Sequence, residues 1–209
     1  MAGAQREAPV SAAAKPGRAK LIAVDGVDAQ AVLAAAKAAL AASTSGAPAG
    51  ARGGVSRWDA SGIFQDLEVA EDDAGSPSPR TMLLLYAADL AFRLRWQVRP
   101  ALAEGRTVVV APYVETAIAY GRAAGLPANW LANLFRFAPR PSERHVVAAR
   151  GTNAAAVKDG FVGFASAHVA GKGAHARQVL ITATERHLRR GRPPQPRARG
   201  RRPPRRAAP

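Results

Sequence analysis

"LIAVDGVDAQAVLAAAKAAL", residues 21–40, reads as a short apolar strand, an acidic residue followed by glycine, a tight turn and a helix. That is the outline of a phosphate-binding loop. The full pattern is G-x-x-x-x-G-K-[ST], in which backbone N–H groups cradle phosphate, the lysine grips the terminal phosphates and the hydroxyl ligates Mg²⁺. Counting from Gly26 puts Ala31 at the second glycine, Val32 at the lysine and Leu33 at the hydroxyl. Asp25, Gly26 and Asp28 remain as the remnant of the loop; its chemistry is gone.

Outward from this stretch, strand-like and helix-like segments alternate. "AKLIAVD" (19–25) suits a buried parallel strand, and residues 28–42 form helix readily, with Asp28 as N-cap. "VSRW" (55–58) is a brief strand, residues 59–71 a helix capped by Asp59, and "DDAGSPSP" a break. The longest helix starts at Ser78, with Pro79 in its first turn. Its apolar stripe runs Leu83, Tyr86, Ala87, Leu90, Leu94 and Val98, the spacing that lays one face on a sheet. "RTVVVA" (106–111) and "RHVVAA" (144–149) complete the strands, with two helices between them. Strands separated by helical crossovers predict an α/β protein, a three-layer P-loop NTPase-like parallel sheet flanked by helices. Ligands of such sheets lie beyond the carboxyl ends of the strands, where Gly26 and Ala111 fall.

The chain has 209 residues, 48% of them hydrophobic, enough for one substantial core. There is no cysteine, which removes disulfides, thiolate nucleophiles and Cys-type zinc sites together. No signal-type apolar region and no stretch of ~20 apolar residues stands out, so the expectation is a cytoplasmic protein without membrane insertion. The net charge is +15, but residues 189–209 hold nine arginines and no acid, leaving 21 basic against 15 acidic residues, or +6, elsewhere. That Arg/Pro-rich tail, like residues 1–19, is expected to be disordered, and it can bind nucleic acid non-specifically through phosphate neutralisation. The same residues are what a GC-rich gene produces in a shifted frame, so their composition alone assigns no role.

Residues 78–138, "SPRTMLLLYAADLAFR…VRPALAEGRTVVVAPYVETAIAYGRAAGLPANWLANLFRFA", resemble the middle of bacterial thymidylate kinases. With residues 21–33 the resemblance spans roughly 20–150 and marks a thymidylate kinase-like domain. Residues 151–188 form a divergent helical part that does not align, and the lid expected after residue 149 is absent. The resemblance implies a nucleoside monophosphate kinase fold and an ancestral transfer of phosphate from ATP to dTMP.

Phosphoryl transfer depends on Lys, Arg and Mg²⁺ to position and neutralise the transferred group. Against the family pattern those groups are missing. Besides Val32 and Leu33, the D-R of its D-R-Y element is Ala111 and Pro112, leaving Tyr113, and the arginine of A-A-D-R is Leu90. Gly121 replaces a glutamine. No residue is expected to be catalytic, no metal ligand is identified, and no cofactor is expected; ATP and Mg²⁺ belong only to the alternative of an active enzyme. Nucleoside-facing positions fare better, since the resemblance puts Tyr86 under the base, Tyr120 against the ribose and Asp28 near the sugar. Tyr113 completes a possible slot for a weak thymidine-like ligand. Each residue has an equally ordinary use, the tyrosines as core aromatics and Asp28 as an N-cap.

Several other features read as structural. "AGKGAH" (170–175) lacks the glycine and hydroxyl of a phosphate loop, and His145, His168, His175 and His187 lack ligand spacing. "EDD" (71–73) reads as a solvated loop, Asp89 and Arg93 as a weak helical ion pair, and Trp58, Trp96 and Trp130 as packing residues. Three functions follow as alternatives: a non-catalytic thymidylate kinase relative acting as a nucleoside- or partner-binding scaffold, an active dTMP kinase with an atypical loop, or a nucleic-acid-binding module. The resemblance also implies a homodimer.

Overall fold

Four parallel strands in the order β2-β3-β1-β4 form one sheet: β1 (Leu21–Asp25), β2 (Gly54–Arg57), β3 (Val108–Ala111) and β4 (Glu143–Val146). In this computed structural model residues 19–46, 53–74, 76–149, 157, 159–170 and 173–191 are described. The two terminal segments, up to residue 18 and from 192, lie outside them, as do residues 47–52, Gly75, 150–156, Lys158, Gly171 and Lys172. The helices are α1 (Ala29–Ser43), α2 (Ile63–Ala74), α3 (Pro79–Arg93), α4 (Arg99–Ala103), α5 (Val114–Ala123), α6 (Ala128–Leu134), α7 (Phe161–Ala170) and α8 (Gly173–Arg190).

The period-2 geometry of the strands sorts their side chains into two layers. Leu21, Ala23, Val108 and Val110 join the larger core, while Ile22, Val24, Val109 and Ala111 join Val32 and Ala36 of α1 on the other face. The three-layer α/β expectation holds. The α3 stripe is buried at all six positions, and Ser78 caps it by accepting from Thr81 N at 3.1 Å.

Several sequence expectations are corrected. After α3 the helix continues through a π turn, Leu94–Val98, into α4. Pro100 lacks an N–H and its ring crowds the carbonyl four residues back, so a widened turn, with Arg99 N donating to Leu94 O, lets the helix pass. Helix α2 begins at Ile63; Asp59, with φ 58°, caps it from outside by accepting from Phe64 N and Gln65 N at 3.0 and 3.1 Å. Residues 71–73 stand on α2 and not in a loop, because the helix runs to Ala74. β4 is a partly exposed edge strand, and α8 takes in Arg189 and Arg190, with Arg189 paired to Glu185 at 2.8 Å. Trp96 is 64% exposed, with Arg95 over its ring at 5.5 Å.

The Asp89–Arg93 pair differs most from expectation. Both side chains are fully buried, 2.8 Å apart. Asp89 Oδ1 accepts from Ser61 N and Oγ, and Arg93 Nη1 donates to Pro112 O at 3.0 Å. This i,i+4 pair therefore ties the turn before α2 and the segment after β3 to α3.

Asp25 makes the corresponding tie at the end of β1. Its Oδ1 accepts from Tyr113 N, Thr116 N and Thr116 Oγ1 at 2.9, 3.0 and 2.8 Å. Burial pushes its pKa up to about 6, opposed by the Thr116 bonds and reinforced by Glu115.

Removing one partner of a buried pair leaves an uncompensated charge, so Asp89→Ala should cost about 3–5 kcal/mol in urea unfolding. Asp89→Ala with Arg93→Met should cost less than Asp89→Ala alone. For Asp25, the folded pKa lies above the unfolded 3.8, so the protonated carboxyl is favoured in the folded state. Its stabilisation is full below the unfolded pKa and is lost as pH rises through about 6. Asp25→Asn, which keeps an acceptor oxygen, should gain on wild type by on the order of 2–3 kcal/mol between pH 4 and 7, read from paired denaturation curves.

Candidate functional site

The loop between β1 and α1 is built as a helix cap. Asp28 Oδ1 accepts from Ala31 N at 2.9 Å, Val32 N donates to Asp28 O at 2.9 Å, and Gly26 N donates to Thr116 Oγ1 at 3.1 Å. Three N–H groups at the position of a phosphate cradle therefore have partners inside the protein. Val32, 4% exposed, packs with Ile22, Val24, Val109 and Ala111 where a lysine would extend. An anion there would be desolvated against methyl groups, at a cost that only a paired cation offsets.

Beside this loop is a cleft of about 60 Å³. It has room for a few waters, against the ~300 Å³ at which ligand pockets begin. Gly26, Leu33, Ala111, Pro112 and Thr116 form one side, with Arg57, Trp58 and residues 159–162 around them. Among the described residues Arg57 brings the one cationic side chain to this lining, and the sequence reading did not single it out. Its position at the carboxyl end of β2 was the available signal. Leu33 and Ala111 bring no side-chain oxygen, and Asp25 Oδ1 already accepts three hydrogen bonds. At positions 33 and 111 Mg²⁺ would therefore find no side-chain oxygen; Asp159 is the carboxylate among the described lining residues, and among the described residues no group of three or more His, Cys, Asp or Glu could hold a metal ion.

Tyr86 and Tyr120 lie together in the core, both fully buried. The Tyr86 hydroxyl donates to the carbonyls of Pro112 and Tyr113, and that of Tyr120 to Ala165 O at 3.5 Å. Burial pushes both phenol pKa values up, so both stay protonated. Between them stands a residue absent from the sequence expectations, Phe161, with its centroid 4.4 Å from Tyr86 and 5.3 Å from Tyr120. Tyr113 is elsewhere: its hydroxyl donates to Pro139 O at 2.6 Å, beside a separate cavity of about 150 Å³ that Asp25 also lines. Burial pushes the Tyr113 pKa up to about 12.

Leu90 is buried in the larger core. Gly121 leaves no space for the glutamine of the family pattern, since even a Cβ there would meet Leu131 Cδ2 at 2.4 Å and Leu83 Cδ1 at 2.8 Å. The substitutions at 90 and 121 thus place apolar packing where the family pattern has polar side chains.

No family model matches the chain. Among curated proteins it is similar to a probable thymidylate kinase of Pyrococcus horikoshii, 40% identical over 75 residues, 36% of this chain and 37% of the relative. A probable thymidylate kinase of Pyrobaculum calidifontis is 37% identical over 67 residues, 32% of this chain and 35% of that one. The thymidylate kinase of Desulfosudis oleivorans is 46% identical over 57 residues, 27% of each chain. The chain thus matches about a third of the length of its first relatives. Among solved structures, thymidylate kinase from Ehrlichia chaffeensis superposes with a TM-score of 0.54 at 13% identity, over 63% of this chain and 72% of that one. Over the matched segment the chain is thus similar in sequence to thymidylate kinases, and over the larger share it has the fold of one.

Proposed function

We propose that this protein does not transfer phosphate from ATP to dTMP and serves as a non-catalytic, cytoplasmic scaffold of thymidylate kinase fold that binds a partner or a weak thymidine-like ligand. The observation that carries this reading is the loop itself. Its N–H groups at 26, 31 and 32 are bonded internally, and Val32 is packed where the charge of a transferred phosphate would need a cation. Helices α3 and α5 keep their buried faces, so the scaffold persists without the phosphate grip.

The proposed homodimer would use the outer face of the long helix. Leu84, Phe92 and Trp96 are exposed at eight- and four-residue spacing, which brings them onto one side. Non-specific nucleic-acid binding through the Arg-rich tail is part of the proposal, although residues 192–209 lie outside those described. Among the described residues no helix is long and apolar enough to cross a membrane. One observation favours the alternative of an active kinase with an atypical loop: Arg57, a cation on the cleft wall.

With ATP, Mg²⁺ and dTMP, dTDP formation in a coupled assay should stay at the level of a mock purification. Activity above that level that disappears in Arg57→Ala would overturn the reading and establish the alternative. Sedimentation velocity should give a dimer for wild type and a monomer for Phe92→Asp with Trp96→Asp.

A further inference from the structure

Strand β2 stands at one edge of the sheet and pairs with β3. A residue in a parallel ladder turns its N–H and C=O to the same side, and Trp58 N donates inward, to Ala111 O at 3.3 Å. Alternation along the strand therefore turns the backbone groups of Val55 and Arg57 outward, where the sheet has no further strand among the described residues.

A groove of about 570 Å³ runs along that edge, within the ~300–1,000 Å³ of ligand sites and far larger than the cleft beside the phosphate loop. Residues 54–58 line one side of it in unbroken sequence, and Trp96, Gln97, Pro100 and Ala101 line the other. The π turn thus supplies the second wall, and it is fastened to the strand, because Ser56 Oγ donates to Gln97 Oε1 at 2.7 Å. That bond leaves the Gln97 amide nitrogen as a donor. Val55, Pro100, Ala101 and Val108 make the middle of the groove apolar.

Charge is placed at the two ends. Arg57 is paired in register with Ala111, five residues beyond Arg106, so the two arginines stand roughly 16 Å apart along the strands at ~3.3 Å per residue. No Asp or Glu is among the described lining residues. Glu104 holds Arg106 Nη2 at 2.7 Å and is itself mostly exposed, while Arg106 Nε has no partner and Arg57 is exposed.

We propose that this groove takes an extended acidic peptide, which adds a strand to the edge of β2 and sets a carboxylate toward each arginine. Outward backbone groups at 55 and 57 match another backbone, and cations spaced along a strand match carboxylates spaced along an extended chain. Edge-to-edge pairing of two copies would bring the arginines of one against those of the other, which disfavours a second copy as occupant. The ends of this chain do not qualify either. Residues 1–18 hold Glu7 against three basic residues, residues 192–209 hold no acid, and the acidic run 71–73 is committed to helix α2. The proposal gives the non-catalytic scaffold the class of its partner and rests on that reading for having one.

The test uses the full chain and fluorescence anisotropy of a labelled peptide, Glu-Glu-Thr-Val-Thr-Val-Glu-Glu. It should bind saturably and at least about tenfold tighter than the same peptide with Lys in place of Glu. Arg57→Glu and, at the far end of the groove, Arg106→Gln should each weaken binding, the charge reversal by about tenfold or more. Methylating the four central amide nitrogens of the peptide keeps its charge and removes its strand donors, and should likewise cost about tenfold or more. Folded wild type that does not bind the acidic peptide would sink the proposal. Equal binding of the methylated peptide, or of wild type and Arg57→Glu, would overturn it in favour of diffuse attraction to the basic chain. Phosphotransfer is read separately: dTDP formation would refute the non-catalytic reading while the peptide series still decides the groove.

Discussion

The backbone of Pro112 and Tyr113 is held from three directions, and the arrangement of the site depends on that grip. Asp25 from β1 accepts from Tyr113 N, while Tyr86 and Arg93 from α3 donate to the Pro112 carbonyl, with Tyr86 donating also to that of Tyr113. Backbone groups buried at the end of a strand need partners, because an unmet one costs about as much as a lost hydrogen bond. Here side chains supply them from two elements that the sheet alone does not connect. The grip fixes where α5 begins, and hence where Thr116 meets Gly26 and where Tyr120 stands.

The retained polar residues are thus already engaged. Asp25, Asp28, Tyr86 and Tyr113 belong to the family pattern, and each makes an intramolecular hydrogen bond that shapes the fold. Arg93 is a further cation on the helix that bears Leu90, but its guanidinium is bound to Asp89 and Pro112 within the core. Arg57 differs, since it lines the cleft at a strand end. In each case the hydrogen-bonding group is engaged within the fold.

Local signals were legible. Short continuous apolar runs marked β1 and β3, the caps Asp28 and Ser78 lie at their helices, and the α3 stripe is buried throughout. What could not be read depends on distant contacts. The i,i+4 spacing of Asp89 and Arg93 is the same at a surface as in a core, and only Ser61 and Pro112 decide between them. Pro100 was visible, but whether it stops a helix or widens it depends on how the flanking turns pack. Phe161 lies far along the chain from Tyr86 in a segment without family likeness, so no periodicity links the two rings.

On the proposed non-catalytic reading, this separation connects the altered phosphate loop to the divergent end. On that reading, with the charged side chains of the family pattern replaced at positions 32, 90 and 112, an empty apolar space between Tyr86 and Tyr120 would cost stability, by about 20–30 cal/mol for each Å³. Filling it from the same chain removes that cost permanently and buries Phe161. What the structure adds to that reading is the contact itself: the helix that begins at Phe161 places its first ring against Tyr86 and Tyr120, two residues far from it in the chain.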